Sequence, residues 1–96
     1  MTNYRKGANA EREVCNFLDG MGYHVTRSAG SKGIWDVVAV HNTHVRLIQV
    51  KVEGAMTPME LETIRLFEAP PCCSKEVWTR RPGHPFEDRW IVDVYR

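Results

Sequence analysis

Apolar residues recur at every third or fourth position over residues 8–20, which predicts an amphipathic α-helix. The apolar face of this helix consists of Ala10, Val14, Phe17, Leu18 and Met21. Gly20 and Gly22 follow the periodic stretch, as glycines often do at the C-terminus of a helix. Glu11 falls at the border of the apolar face, one turn before Val14. Its carboxylate is therefore either a salt-bridge partner of a nearby arginine, Arg12 or Arg27, or a metal ligand that reaches towards another element.

Runs of β-branched residues then predict three strands, over residues 23–28, 35–40 and 45–52. His41 and His44 flank the turn between the second and third of these strands. Their spacing is compatible with a metal site, but a solvent-exposed hairpin tip is the favoured interpretation.

A second helix is predicted to begin at Thr57, where Thr57, Pro58 and Glu60 suit the N-cap, the first helical position and a capping box. It should run to about Glu68, before the prolines at positions 70 and 71.

Two final strands are predicted over residues 75–79 and 89–94. Between them, residues 80–85 form a basic loop that either contacts DNA or is a plain turn with solvated arginines. This order of elements predicts one α/β domain over residues 1–96, with a mixed central β-sheet flanked by α-helices.

Composition limits the classes of protein that fit. The chain has 96 residues, of which 43% are hydrophobic and 26% charged, as in an ordinary small globular domain. It has no apolar run long enough to span a membrane and no signal peptide, so we expect no membrane association and an intracellular location. Three cysteines argue against a disulfide framework, and the adjacent Cys72 and Cys73 lack the spacing of a zinc site.

The net charge of +1 does not itself indicate a nucleic-acid partner. Nine of the 13 basic residues are arginines, however, which favour bidentate contact with phosphate. The first 32 residues contain five basic positions, namely Arg5, Lys6, Arg12, Arg27 and Lys32. Any one of them could equally be a solvated surface charge.

Polar residues interrupt the predicted central strands. Asp36 begins the second strand, and Gln49 and Lys51 end the third. Because side chains alternate along a strand, Gln49 and Lys51 share one face. A buried amide and ammonium there would destabilise the fold unless they were paired, and a metal ion and a phosphate would pair them. Alternatively, the strand simply leaves the core at this point and both side chains are in water.

Six short blocks between Tyr4 and Val52 occur in order and with sensible spacing. They are Arg5-Lys6-Gly7, Ala10-Glu11-Arg12-Glu13, Gly22-Tyr23, Arg27-Ser28-Ala29-Gly30-Ser31, Asp36-Val37-Val38-Ala39 and Gln49-Val50-Lys51. In these blocks the chain resembles the archaeal-type Holliday-junction resolvases of the PD-(D/E)xK nuclease superfamily. The resemblance covers about half of the chain. It implies a restriction-endonuclease-like fold, a homodimer, and metal-dependent cleavage of four-way DNA junctions in the cytoplasm of an archaeon or a virus-infected cell.

The resemblance also implies roles for individual residues. Glu11 and Asp36 match metal ligands, and Lys51 matches the catalytic lysine. The family pattern has Glu where this chain has Gln49, whose amide oxygen can still bind a hard cation such as Mg²⁺, or Mn²⁺ in its place. The backbone carbonyl of Val50 is a further candidate ligand. Candidate DNA-binding residues are Arg5, Lys6, Arg12, Arg27, Ser31 and Lys32.

Gln49 leaves alternatives open. It predicts weakened activity or an altered metal preference, but a protein that binds junctions without cutting them would also fit. A nuclease of the same fold that acts on flaps or nicked DNA would use the same site residues. In the weakest alternative the polar residues are a salt-bridged core and the protein is a scaffold.

Overall fold

The computed structural model of the protein describes residues 3–28, 33–52, 54, 56–81, 83 and 85–95. The elements are α1 (Asn3–Gly20), β1 (His24–Arg27), β2 (Val37–His41), β3 (His44–Val52), α2 (Pro58–Leu66), β4 (Cys73–Arg80), α3 (Phe86–Arg89) and β5 (Trp90–Tyr95). The predicted helices and strands are thus all present, with ends that differ by up to five residues. The short helix α3 was not predicted. No helix in the described part of the chain is both long enough and apolar enough to cross a membrane.

The strands form one five-stranded sheet in the order β1-β2-β3-β4-β5. β3 and β4 are parallel, and the other neighbouring strands are antiparallel. The predicted mixed sheet is therefore confirmed. Parallel pairing brings the C-terminal ends of β3 and β4 together, with Lys51 beside Thr79 and Val52 beside Arg80. The connection between these two strands contains α2.

α1 packs on one face of the sheet. Ala10, Val14 and Leu18 are fully or almost fully buried, and the core on the sheet side includes Val37, Ala39, Ile48 and Trp78. The two other residues of the predicted apolar face are not buried: Phe17 is 38% exposed and Met21 is 54% exposed. Phe17 packs against Trp78 with the ring centroids 6.0 Å apart and the ring planes at 60°, and Met21 lies beyond the end of the helix. The turn there depends on Gly22, whose φ of 93° favours glycine.

α2 lies on the opposite face. Its predicted capping box is confirmed, because the backbone N–H of Glu60 donates to Thr57 Oγ1 at 3.1 Å and the N–H of Thr57 donates to Glu60 Oε1 at 3.0 Å. The helix ends at Leu66, two residues before the predicted end. Buried Lys75 of β4 donates from Nζ to three backbone carbonyls at this end, those of Ile64, Arg65 and Phe67. An ammonium group thereby satisfies carbonyls that lack intrahelical partners.

A buried ion pair joins β3 to β4 on the α1 face. Glu76 is 2% exposed and accepts two hydrogen bonds from Arg46, at 2.9 and 2.8 Å. Ser74 Oγ and Trp78 Nε1 also donate to this carboxylate. The Arg46 guanidinium lies over the rings of Tyr23 and Trp78. Burial opposes ionisation of Glu76, but the bonds from Arg46, Ser74 and Trp78 outweigh it, and the pKa of Glu76 lies below its ordinary value.

Replacing Glu76 with Gln should destabilise the fold by about 3 kcal/mol, because the Arg46 charge would lose its buried partner. Since the pKa of Glu76 is lowered in the folded state, its contribution is present above the ordinary glutamate value of 4.5 and is lost as the pH falls further. Urea unfolding of the wild type and Glu76→Gln at pH 7 and at pH 3 would measure both effects. A loss of stability in the variant that is equal at the two pH values would contradict this account.

Candidate functional site

Asp36 is held where three strands meet. Its backbone N–H donates to the carbonyl of Ile48, and its own carbonyl accepts from Ser28, both at 2.9 Å. Its side-chain Oδ2 accepts the backbone N–H of Val50 at 2.8 Å. β2 begins only at Val37, so the carboxylate takes the place of a main-chain acceptor beside β3. The side chain is therefore fixed at the end of the sheet by main-chain geometry.

The bond to Asp36 also orients the backbone of Val50. In a strand, the N–H and C=O groups of one residue point to the same side. The Val50 carbonyl therefore points to the side from which Asp36 approaches. This orientation is compatible with Val50 as a candidate ligand that acts through its main chain.

Glu11 approaches from α1. Its Oε1 accepts from Arg27 Nε at 2.9 Å, and the two side chains are 17% and 21% exposed. Of the two arginines considered from the sequence, Arg27 is the one that forms the salt bridge, whereas Arg12 is exposed and donates to Asn9 Oδ1 at 3.2 Å. Burial raises the pKa of Glu11, and repulsion from the carboxylate of Asp36 raises it further.

The pKa of Asp36 is shifted in the same direction as that of Glu11. Burial raises the pKa of its carboxyl group, although the Val50 N–H and the positive charges of Lys51 and Arg27 oppose the shift. Glu11 and Asp36 thus form a partly buried pair of carboxylates whose negative charges are not fully compensated. A hard divalent cation would stabilise both charges, and carboxylate, amide and carbonyl oxygens are the ligands that it prefers. The donor set of this site therefore fits Mg²⁺ or Mn²⁺.

Gln49 and Lys51 lie half-buried on the face of the sheet that α2 covers. In register, Gln49 is beside Val77 and Lys51 is beside Thr79 of β4. The Lys51 ammonium donates to Glu60 Oε2 and forms a salt bridge with it. The sequence did not indicate this contact. The capping box identified Glu60 as a helix-start residue, but a cap does not reveal what the second carboxylate oxygen faces.

Other potential metal ligands do not converge. Among the described residues, no three His, Cys, Asp and Glu side chains are grouped so that they could hold a metal ion. His41 packs its ring against Tyr23 at 5.4 Å, and His44 shares a hydrogen bond with Ser74 Oγ at 3.2 Å. These contacts agree with a structural hairpin. The candidate ligands remain Glu11, Asp36, Gln49 and Val50, a set of two carboxylates, one amide and one carbonyl.

The predicted DNA-binding residues are only partly described. Ser31 and Lys32 lie outside the described residues, as do the side chains of Arg5 and Lys6, which belong to the first part of α1. Arg12 is exposed on α1, and Arg27 is the partner of Glu11.

A cluster around Glu13 was missed by the sequence analysis. Glu13 of α1 lies 3.6 Å from Arg80 and 3.4 Å from Arg89, and it accepts from Trp90 Nε1 at 3.0 Å. The C-terminal ends of β4 and α3 are therefore tied to α1, near the strand end that carries Lys51. Arg81 is exposed and donates to the backbone carbonyl of Asp88.

Comparison with known proteins agrees with the resemblance seen in the sequence. Residues 2–65 match the family model described as archaeal Holliday junction resolvase (Hjc). A similar relative is the crossover junction endodeoxyribonuclease Hjc of Methanocaldococcus jannaschii, which is 44% identical over 51 residues. The matched segment spans 53% of this chain but only 38% of that relative. The family match covers the four candidate ligands and Lys51 and extends over most of α2, so the chain belongs to the archaeal Holliday junction resolvase family.

Proposed function

We propose that this protein is a metal-dependent endonuclease that hydrolyses DNA phosphodiesters at four-way junctions. The observation that carries the proposal is the pair of under-compensated carboxylates, Glu11 and Asp36, with the Lys51 charge close enough to act on Asp36. Family membership and the name of the relative support junction DNA as the substrate.

The chemistry requires an activated water, neutralisation of charge at the phosphorus and help for the leaving oxygen. Mg²⁺, or Mn²⁺ in its place, supplies Lewis acidity and a more acidic water when bound. Asp36 and Glu11 would hold the cation, with the Val50 carbonyl and the Gln49 amide oxygen as further ligands. Lys51 would contact a phosphate oxygen or orient the attacking water. Arg27 would keep Glu11 in place through their salt bridge.

Two copies of the protein would act together. A four-way junction has two-fold symmetry, and a symmetric homodimer presents one site to each of two strands. Paired nicks at symmetric positions would then resolve the branched DNA. Such an enzyme would act inside the cell on chromosomal or viral DNA.

Gln49 favours a second candidate function, namely junction binding without cleavage. Gln49 carries no negative charge, so the site has two carboxylates instead of the three in the family pattern. Weaker cation binding could leave DNA recognition intact while cleavage is lost. Cleavage of flaps or nicked duplexes is a further alternative, which differs from the main proposal only in substrate.

The first prediction concerns cleavage of a labelled synthetic four-way junction. The wild type should introduce paired nicks near the branch in Mg²⁺ or Mn²⁺, and Asp36→Ala should be at least about 100-fold slower because the cation loses a ligand. A matched linear duplex, a flap and a nicked duplex serve as substrate controls. Tight binding without nicks in either metal would favour junction binding without cleavage. Faster cleavage of the flap or the nicked duplex than of the junction would favour a nuclease with that other substrate.

The second prediction concerns stability without metal. Because the pKa of Asp36 is raised in the fold, its contribution to stability is most favourable below the ordinary value of 3.8 and is lost as the pH rises through the raised value. Asp36→Asn can still accept the Val50 N–H but removes the buried charge. Its Tm at pH 7 should therefore be a few degrees higher than that of the wild type, since about 1 kcal/mol shifts the Tm of such a domain by about 4–8 °C.

Mg²⁺ should reverse the order of the two melting temperatures. It should raise the Tm of the wild type through binding to the folded state, with little effect on Asp36→Asn. A variant that melts below the wild type, together with a wild type that does not respond to Mg²⁺, would instead indicate a structural core.

The third prediction concerns position 49. Gln49→Glu adds the third carboxylate, so the concentration of Mg²⁺ needed for half-maximal cleavage should fall by about 10-fold. Metal titrations of cleavage by the two proteins would measure this shift. An unchanged or higher requirement would show that the oxygen at position 49 does not bind the cation.

A further inference from the structure

We propose that Glu60 is a positioning residue for Lys51, which it holds at the cleavage site from the first turn of α2. The inference rests on the proposed nuclease function and adds a residue to that site. Glu60 lies nine positions after Lys51. From the sequence alone, Glu60 is explained by its place in the capping box of α2.

The carboxylate of Glu60 makes two different contacts. Oε1 accepts the backbone N–H of Thr57 at 3.0 Å, and Oε2 accepts from the Lys51 ammonium. The backbone N–H of Glu60 is in turn bonded to Thr57 Oγ1 at 3.1 Å. The capping box thus immobilises the group that receives Lys51. One oxygen serves the helix, and the other faces the strand.

This arrangement suits a lysine that must be held in one place. A lysine side chain is long and flexible, and holding it in one geometry costs up to about 2 kcal/mol of rotamer entropy. An ammonium has three N–H donors, so contact with Glu60 leaves donors for a phosphate oxygen or a water. Lys51 directly follows Val50, whose N–H donates to Asp36 Oδ2 at 2.8 Å, so the held ammonium belongs to the strand end that fixes Asp36.

Charge supports the same inference. The hydrogen bonds from Lys51 and from the Thr57 backbone lower the pKa of Glu60 to about 2, so its carboxylate is ionised at neutral pH. Gln49, which precedes Lys51 on the same face of β3, is uncharged. Glu60 therefore brings to Lys51 a permanent negative charge that position 49 does not provide.

A structural role alone would have a different signature. The side chains of Lys51 and Glu60 are 24% and 32% exposed, and ion pairs this open to solvent usually add little to stability. If the contact only closed the start of α2, its loss would change the melting temperature and leave kcat unaltered. If it positions Lys51, its loss would lower kcat for junction cleavage while KM stayed the same.

Glu60→Gln is the decisive variant, because Gln also fits a capping box and its amide oxygen can still accept the Thr57 N–H. We expect kcat to fall by about 10-fold, with KM within twofold of the wild type. Glu62→Gln is the matched control on the same helix, where an exposed Glu62 lies 4.0 Å from Arg65. The control should keep the wild-type kcat. Equal kcat values for Glu60→Gln and Glu62→Gln would overturn the proposal.

A double-mutant cycle tests the contact without requiring cleavage. Urea unfolding of the wild type, Glu60→Gln, Lys51→Met and the double variant should give a coupling of about two- to fivefold in the unfolding equilibrium constant. Absence of coupling would overturn the proposal. A wild type that leaves every branched substrate intact would refute the nuclease function and with it the positioning role, even if the coupling were found. Intact wild-type cleavage with an unaffected Glu60→Gln would refute the positioning role alone.

Discussion

The position of β3 between an antiparallel and a parallel neighbour is the constraint on which the rest of the structure depends. β2 pairs with β3 over Val37–His41, and β4 pairs with it up to Val52. β3 therefore extends beyond the start of β2, where the N–H of Val50 would have no strand partner on that side. The carboxylate of Asp36 accepts this group. The candidate site thus arises where one edge of the central strand loses its main-chain neighbour.

Two clusters of charged residues adjoin β3, and their electrostatic characters are opposite. On the α1 face, the Glu76 carboxylate receives bonds from a guanidinium, a hydroxyl and an indole, and its pKa is lowered. Beside Val50, near the C-terminal end of β3, burial raises the pKa of Asp36, and burial together with the charge of Asp36 raises the pKa of Glu11. In the first cluster, the hydrogen bonds compensate the buried charge of Glu76. Under the proposed function, the second would become favourable once a cation is bound, as expected where stability is given up for activity.

Much of the architecture could be predicted from local patterns. The strand runs, the capping box at Thr57 and the glycine turn after α1 are short-range signals, and each has a direct counterpart in the structure. The ends of elements were less predictable. α2 ends two residues before its predicted end, where Lys75 of β4 donates to its last carbonyls. This contact joins distant segments of the chain, so the residues of the helix itself do not predict it. Phe17 matches the helical period but remains 38% exposed, although its ring packs against Trp78 of β4.

The sequence by itself determined the helical and strand segments, the polar interruptions at Asp36, Gln49 and Lys51, and the family to which they point. These features depend on residue type and spacing along the chain. Only the tertiary structure decided the partners: Arg27 for Glu11, the Val50 N–H for Asp36, and Glu60 for Lys51. Several side chains of each type were chemically suitable. The choice among them depends on strand register and on which helix covers which face, and these are settled by packing across the whole sheet.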